Sequence, residues 1–100
     1  MSLDNEAWRE IEDTESHYYI SSRGRVLSLC RGSYRLLQPY ICGSGYYCVS
    51  IRQGGQWYDR RINVLVANAF IPNPEGKPIA HHKDGNKLNN DVSNLVWVTP

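Results

Sequence analysis

A chain of 100 residues with 41% hydrophobic and 21% charged side chains is the size of one small domain, or of two small modules sharing a core. Domains of this length bury only about 60–65% of their unfolded surface, which excludes a nucleotide-binding α/β enzyme or a closed barrel and confines any chemistry to a compact site. The net charge of +1 hides a split that points to an anionic partner for the basic part: residues 1–16 carry six acids (Asp4, Glu6, Glu10, Glu12, Asp13, Glu15) against Arg9, and the rest carry ten Lys and Arg against Asp59, Glu75, Asp84 and Asp91.

In chain order, Trp8 and Ile11 stand three apart in the acidic leader, an entry segment to a first short strand at His17-Tyr18-Tyr19-Ile20. Ser21-Ser22-Arg23-Gly24 is a turn by composition, and Arg25 to Leu29 alternates polar and apolar as a half-buried strand does. Tyr34 to Gln38 forms the next strand, bounded by Pro39. From Tyr46 to Arg52, Tyr47, Val49 and Ile51 share one face and Tyr46, Cys48 and Ser50 the other. Gly54-Gly55 marks a hairpin and Gln56 to Ile62 its return strand. The period then changes. Ile62, Leu65, Val66, Ala69 and Phe70 make a helical stripe with Asn63, Ala67 and Asn68 off it, stopped by Pro72 and Pro74. Ile79-Ala80-His81-His82 reads as a strand, Asp84-Gly85-Asn86 as a tight turn, Asp91 to Leu95 as a loop or single helical turn, and Val96-Trp97-Val98 as a second strand. Thr99-Pro100 has the form of a helix start.

Three cysteines, at 30, 42 and 48, form no C-x-x-C pair. A disulfide framework or zinc finger is therefore not expected, and the thiols are read as reduced. Residues 1–20 show no basic segment followed by an apolar one, so no secretory signal is expected, and the run from Val64 to Ile71 is too short to span a bilayer. The expected setting is intracellular and cytoplasmic, in a bacterial or phage-infected cell.

His81 and His82, if on a strand, point to opposite faces, so that one can approach a metal while the other meets a substrate. An imidazole can accept a proton from water near neutral pH and is a common metal ligand. Taken alone, such a pair more often describes two surface or turn histidines. Asp84 and Asn86 are better read as turn formers than as metal ligands, Leu95 and Trp97 as core anchors, and Asn89 and Asn90 as residues that cap or close the loop.

The stretch from His82 through Asp84-Gly85-Asn86-Lys87-Leu88-Asn89-Asn90 to Asn94-Leu95-Val96-Trp97-Val98 resembles the HNH endonucleases, specifically the phage and intron homing type. These join the nuclease to a nuclease-associated modular (NUMOD) domain. Trp8, Ile11 and Tyr18-Tyr19-Ile20-Ser21-Ser22-Arg23-Gly24-Arg25-Val26-Leu27-Ser28 resemble that modular domain, and Leu65 to Asn73 resembles the segment ahead of the histidine motif. The resemblance implies a ββα-metal site and a division into a strand-rich module, 1–54, that binds DNA and an HNH module, 55–100. By position, His82 is implied as the general base, Asn94 as the residue that braces the loop and orients it, and His81 as a metal ligand. Asn63 departs from the His that relatives often carry. The implied cofactor is a divalent metal, Mg²⁺ or Mn²⁺ with Zn²⁺ as a further candidate, and no small-molecule cofactor is implied. The last metal ligand of the family belongs to the helix after the second strand, beyond Pro100. The 100-residue chain is therefore expected to be α+β, a small antiparallel sheet with one helix and an HNH hairpin truncated before its final helix, binding metal weakly and cutting poorly.

The expected partner is double-stranded DNA, with no membrane. Arg23, Arg25, Arg31, Arg35, Arg52, Arg60, Arg61, Lys83 and Lys87 are the candidate contacts, interleaved with Tyr18, Tyr19, Tyr34, Tyr40, Tyr46, Tyr47 and Tyr58, because cations neutralise phosphates and tyrosines add hydrogen bonds or stacking. Arg60 and Arg61 cannot both face the same way in a strand. The acidic leader is expected to face away from DNA or pair with arginines. The expected activity is homing-type DNA cleavage. The alternatives are a DNA-binding module without cleavage and a protein–protein adaptor.

Overall fold

The computed structural model describes residues 6–100; Asp4 of the acidic leader lies outside them. The chain is α+β, and its antiparallel strands fall into three small sheets rather than one. The first is a four-stranded meander of β1 (Trp8–Glu10), β2 (Tyr18–Ser21), β3 (Val26–Cys30) and β4 (Ser33–Leu36) in sequential order. β5 (Tyr40–Ile41), β6 (Tyr47–Gln53) and β7 (Gln56–Arg61) form the second, followed by the helix α1 (Ile62–Phe70) and a two-stranded hairpin of β8 (Ile79–His82) and β9 (Leu95–Val98). A single 3₁₀ turn, Val92–Asn94, leads into β9. The entry segment is thus a strand in its own right, Trp8 pairing with Ser21 and Glu10 with Tyr19.

One core joins the three sheets and the helix. Ile11, Ile20 and Val26 of the meander meet Val49 and Ile51 of β6, Ile62, Leu65 and Val66 of α1, and Leu95 of β9. Each fully buried aliphatic side chain of this kind stabilises the fold by about 1.5–3 kcal/mol, which is what holds α1 in place. The helix has nine residues and no side-chain N-cap, and a helix so short is marginal by itself. Ile62, Leu65 and Val66 of the expected stripe are buried, but so are Asn63 and Ala67, which the stripe leaves out. The reason is that β8 packs along the helix as well: Asn63 Nδ2 donates to the carbonyl of Ala80 at 2.9 Å.

Two ties fix the meander to the rest. Val92 N–H donates to Ser22 O at 2.8 Å, and at the other end Gln53 Nε2 donates to Glu12 O at 2.8 Å and Gly54 N–H to Asp13 O at 2.9 Å. Gly54-Gly55 turns β6 into β7 with Gln53 paired to Gln56.

The reading of reduced thiols is corrected at one pair. Cys42 and Cys48 are joined by a disulfide, with Cα atoms 6.0 Å apart, while Cys30 is free and exposed. No C-x-x-C spacing announces the bond, because it is made by a reversal of the chain: Gly45 N–H donates to Cys42 O and Cys42 N–H to Tyr46 O, both at 2.9 Å, folding residue 42 back beside β6. Among the described residues, no helix is long and apolar enough to cross a membrane.

Candidate active site and nucleic-acid interface

Strand alternation separates the two histidines. On β8, Ile79 and His81 are exposed while Ala80 and His82 are buried, His82 to 4%, and β9 pairs Leu95 opposite His82 and Val96 opposite His81. The His82 Nε2 lies 2.8 Å from Asn90 Oδ1. An amide oxygen only accepts hydrogen bonds, so this geometry calls for the tautomer with the proton on Nε2 and the lone pair on Nδ1. Asn90, read from sequence as a loop closer, is a hydrogen-bond partner of His82 that the sequence analysis missed. The signal was its type, a short amide eight residues after a candidate base, but spacing alone does not show where an amide points.

Asn94 closes the loop between β8 and β9. Its Nδ2 donates to Asp84 Oδ1 and to Asn89 O, both at 2.9 Å, and its Oδ1 accepts from Asp84 N–H at 3.2 Å. Its own carbonyl accepts from Lys83 N–H at 2.8 Å. The turn that follows His82 is closed by Gly85 N–H donating to His82 O at 3.0 Å. The Asp84 carboxylate also accepts from Asn86 N–H at 2.8 Å and Asn89 Nδ2 at 3.0 Å. These bonds, first that from the Asn86 backbone and then those from Asn89 and Asn94, favour the charged form and hold the Asp84 carboxyl below its usual range. Asp84 is therefore occupied as the anchor of its turn.

Tyr46 connects the second sheet to this hairpin. Its ring centroid is 5.9 Å from that of His82. The Arg61 guanidinium lies 4.2 Å from the Tyr46 centroid and the Lys87 ammonium 4.9 Å, and Lys87 Nζ also donates to Ser44 O at 2.9 Å. Two of the candidate DNA contacts, Arg61 and Lys87, are thus gathered on the ring that neighbours His82.

The other cations are distributed differently. Arg52 is exposed and paired with the exposed Trp57, and Arg61 is paired with Cys48 on the same face of the second sheet. Arg60 faces the other way, opposite Val49, with its Nε donating to Gln53 Oε1 at 2.6 Å and its guanidinium 4.5 Å from the Tyr58 ring centroid. Arg31 and Arg35 are exposed on the β3–β4 hairpin, Arg23 is exposed on the 21–24 turn, and Lys83 is exposed after β8. Arg25 is engaged within the protein. It is ion-paired to the buried Glu6, Nε donating to Glu6 Oε2 at 2.9 Å and Nη2 to Oε1, and it sits 5.8 Å from the Trp8 ring centroid. The Arg25 hydrogen bond outweighs desolvation and holds the Glu6 carboxyl below its usual value. Here the acidic leader does pair locally. On the same face as Arg61, the Tyr40 hydroxyl donates to Asp59, which pushes the phenol up to about 12.

Among the described residues, no three His, Cys, Asp or Glu side chains converge to hold a metal ion. His81 is one exposed imidazole donor on β8.

Compared with known proteins, residues 6–52 match the NUMOD4 motif and residues 64–100 match the HNH endonuclease family. The chain is a homologue of the HNH homing endonucleases, with a NUMOD4 segment ahead of an HNH segment. Among individual relatives, it is 37% identical over 92 residues to the DNA endonuclease I-HmuI of Bacillus phage SP01, covering 92% of this chain and 52% of that protein. An uncharacterized HNH endonuclease, L245, of Acanthamoeba polyphaga mimivirus is 39% identical over 88% of this chain and 26% of its own length. The H-N-H endonuclease F-TflII of Escherichia phage T5 is 34% identical over 82% and 42%. The solved structure of I-HmuI, a study of its DNA binding and cleavage, matches with a TM-score of 0.80 at 37% identity, covering 93% of this chain and 52% of that one. The chain spans about half the length of I-HmuI and less of the other two relatives.

Proposed function

We propose that this chain carries the cleavage site of a homing-type DNA endonuclease that hydrolyses phosphodiester bonds in double-stranded DNA inside a bacterial or phage-infected cell. The observation that carries the reading is the buried His82 in the HNH-matching segment, its Nε2 held by Asn90 and its Nδ1 left as an acceptor. In this reading His82 is the general base that takes a proton from the attacking water. Asn94 supports it by fixing the loop that leaves β8 immediately after His82, through Lys83, Asp84 and Asn89. His81, exposed on the opposite face of β8, is assigned as one ligand of a divalent cation, Mg²⁺ or Mn²⁺ with Zn²⁺ as a further candidate. Such an ion would stabilise charge developing on the phosphate oxygens.

DNA contact falls chiefly to Arg52, Arg61 and Lys87, with Arg23, Arg31, Arg35, Arg60 and Lys83 completing a discontinuous basic surface, while Arg25 supports the 21–25 turn through Glu6. Functionally, residues 1–54 serve docking and 55–100 cleavage, although both share one core.

The test is His82→Ala assayed by nicking of supercoiled plasmid with Mg²⁺ or Mn²⁺, beside duplex binding. Loss of nicking by about 10²-fold or more with binding retained is expected, and undiminished nicking overturns the assignment of the base. A second reading, a DNA-binding module that does not cut, rests on the exposed Arg52 and Arg61 sharing one face of the second sheet. That reading predicts salt-dependent duplex binding with no nicking by the unaltered protein.

A further inference from the structure

The residue that holds His82 is itself held by the other half of the chain. Asn90 is 6% exposed, and its Oδ1 is the hydrogen-bond partner of His82 Nε2 at 2.8 Å. Against its other side lies Gly24, in the turn between β2 and β3. A Cβ placed on Gly24 would come 2.8 Å from Asn90 Cβ and 3.2 Å from Asn90 O, closer than two unbonded atoms can approach without displacement. Gly24 also has φ +85°, a conformation that costs a residue with a side chain. Nothing larger than glycine fits against Asn90 without moving it.

The turn is rigid for local reasons. Ser21, fully buried, uses its Oγ to accept from the N–H groups of Arg23 at 3.1 Å and Arg25 at 3.0 Å. Gly24 N–H donates to Ser21 O at 3.0 Å, and Ser22 O accepts from Val92 N–H at 2.8 Å. The turn therefore grips the 90–92 segment by a van der Waals contact at Asn90 and a hydrogen bond at Val92. That grip fixes the backbone and Cβ of Asn90, and with them the point from which its amide reaches His82 Nε2.

We propose that Asn90 is a positioning residue that fixes the orientation and proton placement of the His82 imidazole, and that the Ser21–Gly24 turn of the NUMOD4 segment is the element that keeps Asn90 in register. The segment that matches the NUMOD4 motif is thus also a structural component of the proposed cleavage site. The inference rests on the reading of His82 as the base for its meaning in cleavage, but the geometry it asserts is measurable without any cleavage.

The experiment is long-range ¹H–¹⁵N correlation spectroscopy on the ¹⁵N-histidine-labelled chain at about pH 8, where an imidazole is neutral. His82 is assigned by comparison with His17→Gln and His81→Gln. The unaltered protein is expected to show a single His82 tautomer with the proton on Nε2 and slowed exchange of that proton with water. In Asn90→Leu that exchange accelerates by roughly tenfold, the loss of about one hydrogen bond, and the two tautomers average. Asn90→Asp keeps an acceptor and restores the single Nε2–H form. Gly24→Ala, with its remaining amide spectrum preserved, reproduces the Asn90→Leu pattern. A proton on Nδ1 in the unaltered protein, or a protected Nε2–H surviving in Asn90→Leu, overturns the role of Asn90. A Gly24→Ala spectrum identical to that of the unaltered protein overturns the role of the turn. The first measurement needs no substitution at Asn90 or Gly24, so a misfolded variant at either position does not shelter the proposal. Plasmid nicking is expected to fall on the order of 10²-fold in Asn90→Leu. If His82→Ala nicks without loss, the general-base reading falls while the spectroscopic result stands.

Discussion

The Tyr46 ring lies 5.9 Å from the His82 imidazole, centroid to centroid, with their planes inclined by 35°. Tyr46 belongs to the Cys42–Cys48 loop and His82 to β8, so the contact closes the second sheet onto the HNH hairpin. Arg61 and Lys87 both use the same ring. Each cation–π contact at such a site is worth about 0.5–1 kcal/mol. Tyr46→Leu is therefore expected to lower stability by roughly 1–2 kcal/mol in urea denaturation and to reduce nicking more than duplex affinity, since both cations stay charged. Tyr46→Phe keeps the ring and should behave as the unaltered protein. Equal losses in the two variants would show that the hydroxyl, not the ring, matters.

In the proposed interface the basic residues separate into contacts and supports. Arg52, exposed beside Trp57, should lose a phosphate contact as Arg52→Ala, and the slope of log affinity against log salt should shrink by about 0.9. Arg25→Ala should leave that slope intact and instead lower stability, because it abandons the carboxylate of Glu6, whose side chain has no exposed surface. Fluorescence anisotropy of a labelled duplex across a salt series, paired with urea melts, distinguishes the two; an unchanged slope for Arg52→Ala removes it from the interface.

Glu6 also sets an acid dependence. Its carboxyl is held below the usual value of 4.5 by Arg25, so its contribution to stability is complete above that value and is lost as pH falls through the lower folded value. Glu6→Gln is expected to cost about 1–2 kcal/mol near neutrality, discounted because the Arg25 side chain is 41% exposed. It should also flatten the decline in stability below about pH 4.5. Denaturant melts between about pH 3 and pH 7 read both effects, and a parallel decline in the two proteins would deny Glu6 that role.

The Cys42–Cys48 bond closes a loop of sequence separation 6, for which chain entropy gives about 2 kcal/mol. Dithiothreitol, or Cys42→Ser with Cys48→Ser, is expected to lower the Tm by several degrees and to loosen Tyr46, which lies inside the loop. In a reducing cytosol the pair would be open. Alkylation of protein extracted from cells, followed by mass spectrometry, would show whether the closed form exists there.

Much of this was legible in the sequence because it follows from period. The alternation of β6, the stripe of α1 and the opposed faces of His81 and His82 are consequences of side-chain direction that a one-dimensional pattern retains. The burial of Asn63 and Ala67 was not legible, since a stripe shows one face of a helix and says nothing of a second neighbour. Nor was the disulfide, which depends on a chain reversal. At the site, candidate residues for the chemistry could be named, but the Asn90–His82 bond and the capture of Arg25 by Glu6 join residues 8 and 19 positions apart. Their meeting is decided by how loops pack, which spacing does not encode.

The single core shared by the three sheets has a bearing on how such proteins can diversify. Ile20 and Val26 belong to the NUMOD4 segment and Leu65, Val66 and Leu95 to the HNH segment, and all five are buried together. A chimera that joins this N-terminal half to a foreign nuclease half therefore inherits two mismatched half-cores as well as a new pairing of reader and cutter. In the proposed DNA-contacting role, new target specificity is reached at lower cost by substitution on the exposed strands, where Arg35 and Arg52 can change without disturbing what lies beneath them.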